Sequence, residues 1–177
     1  ERTRKFAVDI IRLCDSLKTC KASSVIGYQL IKSATSTGAN YRAACRARSK
    51  AEFYSKICIV VEEADETEYW LEIIDEADLS DDADELTRLS KESNELTKIM
   101  RNCLYRGVVK KDKILSRRRK IISCKRVEGC ILALDWYNIL ISVESYLKGM
   151  PVFIADDGIL RDVSGVHSSY KVSKVTD

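Results

Sequence analysis

The chain has 177 residues, with 30 basic and 27 acidic side chains and a net charge of +3. That length suits one ordinary domain or two small ones. No apolar run approaches the roughly 18 residues of a membrane-spanning helix, which predicts no membrane partner. Seven cysteines without a CxxC pair, and a single histidine, His167, argue against a zinc site. We expect a cytoplasmic protein with reduced thiols.

Charge and glycine content change near residue 105. Residues 1–104 carry 16 Lys and Arg against 19 Asp and Glu, whereas residues 105–177 carry 14 against 8. Most glycines and the single proline, Pro151, lie in the second part. The change predicts a helical domain over residues 1–104, a basic linker over 105–126 and an incomplete α/β segment over 127–177.

Four apolar stripes at helical spacing follow one another in the first part. The first predicted helix covers residues 3–18, and the second begins after a cap at Ser23 or Ser24. The third runs to about residue 76, and the fourth carries its stripe over residues 86–103. Short polar connections join them, which predicts an all-α, up-down-up-down four-helix bundle.

The third helix has the clearest signals. Ser49 and Glu52 form a capping box, because the serine accepts from the first turn and the glutamate reaches back toward the cap. An apolar repeat with alternating spacings of four and three begins at Phe53 and predicts a bundle seam. The second helix is rich in small residues, and the Asn40 amide is expected to find a partner on a facing helix.

The second part alternates short apolar runs with one helical pattern. Residues 130–134 and 152–155 are typical of buried strands, and residues 138–148 suit a helix between them. Strand, helix and strand in this order predict the opening of an α/β unit with a parallel sheet.

Aspartates follow both predicted strands. Asp135 ends the first, and Asp156 and Asp157 end the second. The ends of parallel strands lie at one edge of a sheet, where carboxylates can hold Mg²⁺ or Mn²⁺ for a nuclease. The alternative is that these aspartates are ordinary turn residues.

Basic side chains cluster twice. Around the junction of the second and third helices, they could form a salt-bridged surface, contact another subunit or bind nucleic acid. In the linker, ten Lys or Arg stand against one acid, Asp112, which favours phosphate binding. The candidate nucleic-acid-binding residues are Arg42, Arg46, Arg48, Lys50, Arg117, Arg118, Arg119 and Lys120.

The first 104 residues contain no catalytic set. They have no histidine and no glycine-rich phosphate loop, so the Glu63 and Glu66 pair cannot be completed to a di-metal site. We therefore predict no cofactor for the bundle and no enzymatic activity in it.

Residues 2–104 resemble the 23S rRNA intervening-sequence proteins, a bacterial family that includes accessory proteins of diversity-generating retroelements. The resemblance is carried by RKFAVDIIRL, IGYQLIKSATSTGANYRAACRARSKAEF and EADETEYWLEII. Its most specific points are Asn40 with the Ser/Thr-rich segment before it, the Arg48–Ser49 junction and Phe53. It implies a four-helix bundle without enzymatic activity that assembles as a homopentamer, and in some members binds nucleic acid through a basic surface.

Residues from about 115 to 177 resemble a PIN-like domain, through ALDWYNILISVES and GMPVFIADDGILRDVSGVHSSY. The resemblance implies that Asp135 is a metal ligand, although Trp136 replaces the glycine of the D-G-Y-N motif. We expect only about the first half of such a domain here, so we do not expect an active nuclease. The leading hypothesis is an oligomeric scaffold that binds RNA, DNA or a protein partner, and the alternative is a metal-dependent ribonuclease.

Overall fold

The computed structural model describes residues 1–109, 111–122, 129, 131 and 136–164. The chain divides into two compact units, Glu1–Arg101 and Asn102–Asp177. None of the described helices is both long and apolar enough to cross a membrane. The elements are α1 (Arg2–Asp15), α2 (Lys21–Ala44), α3 (Lys50–Glu76), α4 (Ala83–Gly107), α5 (Lys111–Arg118), α6 (Trp136–Leu147), β1 (Val152–Ile154) and β2 (Leu160–Asp162).

The first four helices pack as the predicted bundle. On α3 the buried residues recur at spacings of three and four, as the sequence repeat predicts, and its first member, Phe53, is half-buried. The small residues of α2 allow close approach, and α2 makes its most extensive contact with α3. The core cluster comprises Phe6, Ile10, Leu13, Leu30, Ala34, Leu71, Ile74, Leu79, Leu86, Leu89 and Leu96.

Hydroxyl side chains interrupt this apolar core. The Thr67 hydroxyl donates to the Glu63 carbonyl at 2.8 Å and lies 3.0 Å from the Ser33 hydroxyl of α2. The Thr37 hydroxyl donates to the Ser33 carbonyl at 3.0 Å. Thr97 of α4 is also buried, but its hydroxyl has no hydrogen-bond partner among the described residues. An unsatisfied buried hydroxyl destabilises the folded state.

We predict that Thr97→Val stabilises the bundle by about 1 kcal/mol, because valine keeps the shape and removes the unsatisfied hydroxyl. Thr37→Val is the matched control, since it deletes a hydroxyl that is hydrogen-bonded. Urea unfolding followed by circular dichroism measures both changes. An equal effect of the two substitutions would show that the Thr97 hydroxyl is satisfied.

The first two helix boundaries differ from the prediction. Helix α1 ends at Asp15, before the predicted residue 18, because the Lys18 amide donates to the Leu79 carbonyl at 2.9 Å and ties two loops together. Helix α2 begins before Ser23, and its cap is Cys20, whose sulfur accepts from the Ser23 amide at 3.3 Å. A cysteine is an unusual helix cap, so propensity alone favours the serines.

The cap of α3 is confirmed. The Glu52 amide donates to the Ser49 hydroxyl at 3.1 Å, and Glu52 accepts from the Arg48 amide at 2.9 Å. The expected partner of Asn40 is corrected, however. Its amide donates to the Ser36 carbonyl, one turn back in the same helix, at 3.0 Å, so Asn40 does not need a facing helix.

The backbone of α2 lies close to the backbones of α1 and α3. The backbone of α4 is further from those of its neighbouring helices. Long side chains bridge the gap. Arg2 of α1 makes a two-pronged contact with Glu92 at 2.7 and 2.8 Å. Arg88 of α4 donates to the buried Asp9 of α1 at 3.0 Å. These contacts place α4 beside α1.

The described cysteines are free thiols. Cys14, Cys58 and Cys103 are half-buried, whereas Cys20 and Cys45 are exposed. Burial raises the pKa of Cys14 to about 11. Hydrogen bonds from the Ser23 hydroxyl and amide lower the pKa of Cys20. The half-buried thiols act as small apolar side chains.

The second unit differs from the prediction in two ways. The expected linker is partly helical, because α4 continues to Gly107 and α5 follows. Strand β1 occurs where a strand is predicted, but it pairs antiparallel with β2, with Phe153 opposite Arg161. The tight connection between them explains this hairpin, since parallel strands need a long crossover. The predicted strand at residues 130–134 lies outside the described residues.

Candidate nucleic-acid interface

Four basic residues surround the junction of α2 and α3. They are Arg42, Arg46, Arg48 and Lys50, and all four are exposed. The side chains of the three arginines form no ion pair with any residue that the structure describes. Arg42 lies in the last turn of α2, which ends at Ala44, and Arg46 follows in the turn after it, where its amide donates to the Ala43 carbonyl at 3.0 Å. The three arginines are therefore open to solvent around the α2–α3 junction.

Arg42 and Arg46 also line a groove of about 730 Å³ between α1 and α2. On the α1 side the groove is lined by Arg4, Val8 and Ile11, which follow each other at helical spacing. Val8 and Ile11 are 41% and 37% exposed. The groove is thus an apolar strip edged by arginines. We call it the α1–α2 groove, and its main residues are Arg4, Val8, Ile11, Ala39, Arg42 and Arg46.

Helix α3 presents the opposite charge. Residues 62–76 contain eight Asp or Glu and no Lys or Arg. Burial raises the pKa of Glu63, and repulsion by Glu66 and Glu62 raises it further, although Lys32 opposes the change. We define the α3 acidic face as the outward residues Ile59, Glu62, Glu66, Tyr69 and Glu76.

In the second unit, the basic residues at the end of α5 have two different environments. Arg117 donates to the Asp157 carboxylate at 3.1 Å, and Arg118 donates to the Asp156 carbonyl at 2.9 Å. Arg119 and Lys120 are exposed, and neither has an ion-pair partner among the described residues. The basic segment therefore serves the fold through its first two arginines and leaves the next two cations open to solvent.

Asp157 is the centre of a buried ion-pair network, with a fully buried side chain. Arg161 donates to both carboxylate oxygens, at 2.8 and 2.6 Å, and Arg117 shares one of them. The Ile159 amide donates to the same carboxylate at 3.2 Å. Hydrogen bonding from Arg161, followed by that from Arg117, holds the pKa of Asp157 well below its usual range. Two guanidinium groups thus compensate its charge.

Asp162 has a similar structural environment. It accepts from Arg106 at 3.1 Å, from the Ser142 hydroxyl at 3.1 Å, and from both the amide and hydroxyl of Ser164. Burial alone raises the pKa of Asp162, but the bonds from Ser164 and the Arg106 charge outweigh it and lower the pKa. Arg106 lies in the last turn of α4, so this network anchors that turn within the second unit.

The predicted metal ligands do not form a described cluster. Asp135 lies outside the described residues, and Asp157 faces arginines. Among residues 1–109, 111–122, 129, 131 and 136–164, no group of three or more His, Cys, Asp or Glu could hold a metal ion. Metal binding by Asp135, Asp156 and Asp157 stays a prediction.

Two features are missing from the sequence interpretation. Arg4 and Val8 belong to the α1–α2 groove. In the sequence they are marked only by their helical spacing with Ile11, which forms a second stripe on α1 beside the buried one. The Asp157–Arg161 pair has no such signal, because the spacing of the two residues in the sequence does not show that their side chains meet.

Two family models match the chain. The model described as 23S rRNA-intervening sequence protein covers residues 1–102, and a domain of unknown function, DUF5616, covers residues 124–177. The second match assigns no activity to the C-terminal segment.

Two known proteins are similar to parts of the chain. A protein of unknown function from the S23 ribosomal protein family of Bacteroides thetaiotaomicron has a crystal structure that is 34% identical, with a TM-score of 0.52. The similarity covers 58% of this chain and 94% of that one.

Uncharacterized protein MJ0935 of Methanocaldococcus jannaschii is 35% identical over 60 residues. That match covers 34% of this chain and 29% of the archaeal protein, so the chain spans less than a third of this curated relative. The first family match, by contrast, includes all of α1, α2 and α3 and most of α4. The chain belongs to the 23S rRNA-intervening sequence protein family.

Proposed function

We propose that this protein is a non-enzymatic, self-associating scaffold that binds RNA through exposed basic side chains. One observation carries the RNA-binding part. Arg119 and Lys120 are exposed after α5 and have no ion-pair partner among the described residues. Lys113, also on α5, is likewise exposed. Unpaired cations attract phosphates, since binding releases the counterions condensed on the nucleic acid.

The family supports RNA as the ligand only through the name of its model, which refers to 23S rRNA. The chemistry of the patch agrees with a backbone contact. Lysine and arginine neutralise phosphates but carry no sequence information unless they reach base edges. We therefore expect affinity that depends strongly on salt and weakly on sequence.

Fluorescence anisotropy with a labelled single-stranded RNA tests this at several salt concentrations. In the Arg119→Gln/Lys120→Gln variant, the slope of log affinity against log salt should fall by about 0.7 for every phosphate that the variant no longer neutralises. The control is Lys91→Gln/Lys98→Gln, which removes two exposed lysines from α4. An equal decrease in both variants, or binding that ignores salt, would refute the assignment of this patch.

Self-association is the second part of the proposal, and the family resemblance implies a homopentamer. Several copies of a weak basic patch on one assembly would bind a single RNA far more tightly than one copy does, because later contacts are intramolecular. A few exposed cations per chain are therefore enough for tight binding of one RNA by the whole assembly.

The alternative function is a metal-dependent nuclease that uses Asp135, Asp156 and Asp157. The arginine contacts of Asp157 count against it, since a carboxylate already bound by two guanidinium groups is a poor metal ligand. In the binding assay with added Mg²⁺ or Mn²⁺, the RNA should stay intact. Cleavage that disappears in Asp135→Asn would overturn the non-enzymatic proposal.

A further inference from the structure

We propose that the α1–α2 groove of one chain receives the α3 acidic face of a second copy. The inference deepens the proposed function and rests on its self-association part. It assigns Arg42 and Arg46 to an assembly contact and leaves Arg119 and Lys120 for RNA.

The groove has the properties of a helix-binding site. Val8 and Ile11 form an exposed apolar strip on its floor. Gly38 and Ala39 line the α2 side of the groove with small side chains. An amphipathic helix binds such a groove through residues spaced three, four and seven apart.

Charge complementarity identifies the occupant. Arg4, Arg42 and Arg46 edge the groove, and Glu1 is its only acidic residue among the described lining. On α3, Glu62 and Glu66 are one turn apart, and at the groove Arg42 lies in the last turn of α2 while Arg46 follows just after the helix ends. The outer side of α3 carries Glu62, Glu66 and Glu76, and residues 62–76 contain no Lys or Arg to balance them. Basic side chains of a second copy would supply the missing counter-charges.

The α3 acidic face also carries apolar anchors. Ile59 is 38% exposed and Tyr69 is 52% exposed, and both lie on the outward side of α3. Ile59, Glu62, Glu66 and Tyr69 are separated by three, four and three residues, so they share one face of the helix. This pattern matches a groove with an apolar floor and cationic edges.

A chain cannot fill its own groove. Helix α1 packs on α2, and α2 packs on α3. Side-chain contacts join α4 to α1 through Arg2 and Glu92, and to α3 through Asn94 and Glu68. In this cyclic order α3 is diagonal to α1, and its outward face points away from the α1–α2 side. The contact must therefore join two chains.

The contact joins two different surfaces, so it is heterologous. Repeated around an axis, such a contact closes a ring if the rotation is right. It also makes a specific prediction about mixed variants, because each chain contributes one groove and one acidic face independently.

Mass photometry and light scattering of the full chain test the contact. Arg42→Glu/Arg46→Glu destroys the groove, and Glu62→Lys/Glu66→Lys destroys the acidic face. Each variant alone should weaken self-association by on the order of a hundredfold, because like charges then meet across the contact. Lys91→Glu/Lys98→Glu is the control and should assemble like the wild-type chain. Circular dichroism checks that each variant is folded, since Trp70 donates to Glu66 at 3.0 Å and its fluorescence would report that substitution directly.

Mixing the two defective variants is the decisive step. The intact groove of one and the intact acidic face of the other should restore complexes, and the two reversed surfaces complement each other as well. Failure of the mixture to assemble, or assembly of either variant alone at wild-type strength, overturns the contact. Weaker RNA binding in Arg42→Glu/Arg46→Glu but not in Glu62→Lys/Glu66→Lys, with assembly unchanged in both, would assign the groove to phosphates instead. A monomeric wild-type chain would overturn self-association itself, whereas the anisotropy experiment tests RNA binding separately.

Discussion

Asp157→Asn should destabilise the second unit by about 3–5 kcal/mol, the usual effect of removing one partner from a buried ion pair. Asparagine has nearly the same shape, but it leaves Arg161, whose side chain is 15% exposed, without a counter-charge. The same change frees Arg117, which joins α5 to the hairpin. We expect both the β1–β2 turn and the end of α5 to loosen.

Limited proteolysis followed by mass spectrometry measures this effect in each unit. The variant should be cut rapidly after residue 101, while Glu1–Arg101 survives as a resistant core. Asp112→Asn is the matched control, because Asp112 is exposed on α5 and its substitution should change stability by less than about 0.5 kcal/mol. Identical digestion of the Asp157→Asn variant and the wild-type chain would contradict a structural role for the network.

The same network predicts a pH dependence. Asp157 and Asp162 have lowered pKa values in the folded chain, so their ionised forms stabilise it. This contribution is complete above the unfolded-state pKa of about 3.9 and is lost as pH falls through the folded-state value. The difference between wild type and Asp157→Asn should therefore be largest near neutral pH and should shrink in acid. A difference that grows in acid would refute the assignment.

Leu71→Ala should destabilise the bundle by about 2–5 kcal/mol, because it leaves a cavity in the core. Leu71 is fully buried on α3 and belongs to the cluster that includes Leu30 of α2 and Leu89 of α4. The small side chains of α2 leave few atoms that could move to fill the space. We therefore expect an effect toward the upper end of that range.

Urea unfolding, followed by circular dichroism and by tryptophan fluorescence, measures this change. The midpoint should fall while the dependence on urea stays constant, as expected for a change in stability alone. Val25→Ala, on the exposed face of α2, is the control and should have little effect. A decrease below about 1 kcal/mol would mean that the core relaxes around the missing side chain.

Sequence periodicity was sufficient to predict the bundle because burial dominates the choice of residues there. On α3, six of the seven predicted seam residues are buried, and the Ser49 cap forms as expected. Errors occurred where a long-range or unusual contact decides the outcome. The Lys18 bond to Leu79 ends α1 early, and Cys20 replaces a serine as the cap of α2.

The candidate sites could be predicted less well. The sequence shows which side chains are charged, but not which of them meet a partner. Arg117 and Arg119 are nearly equivalent in the sequence, yet Arg117 contacts a buried carboxylate and Arg119 faces solvent. Asp157 lies in the β1–β2 turn and accepts from the Ile159 amide, as a turn aspartate does. The hairpin also places Arg161 against its carboxylate, which the sequence does not show.

By itself, the sequence determined the four helices, the bundle class and the division of charge between the two parts of the chain. These features follow from local spacing and composition, which act over a few residues. Only the tertiary structure decided which cations are paired, that Val8 and Ile11 meet Arg42 and Arg46 along one groove, and that α3 carries its acids on a different side. Those outcomes depend on helix packing, which brings together residues that are far apart in the chain.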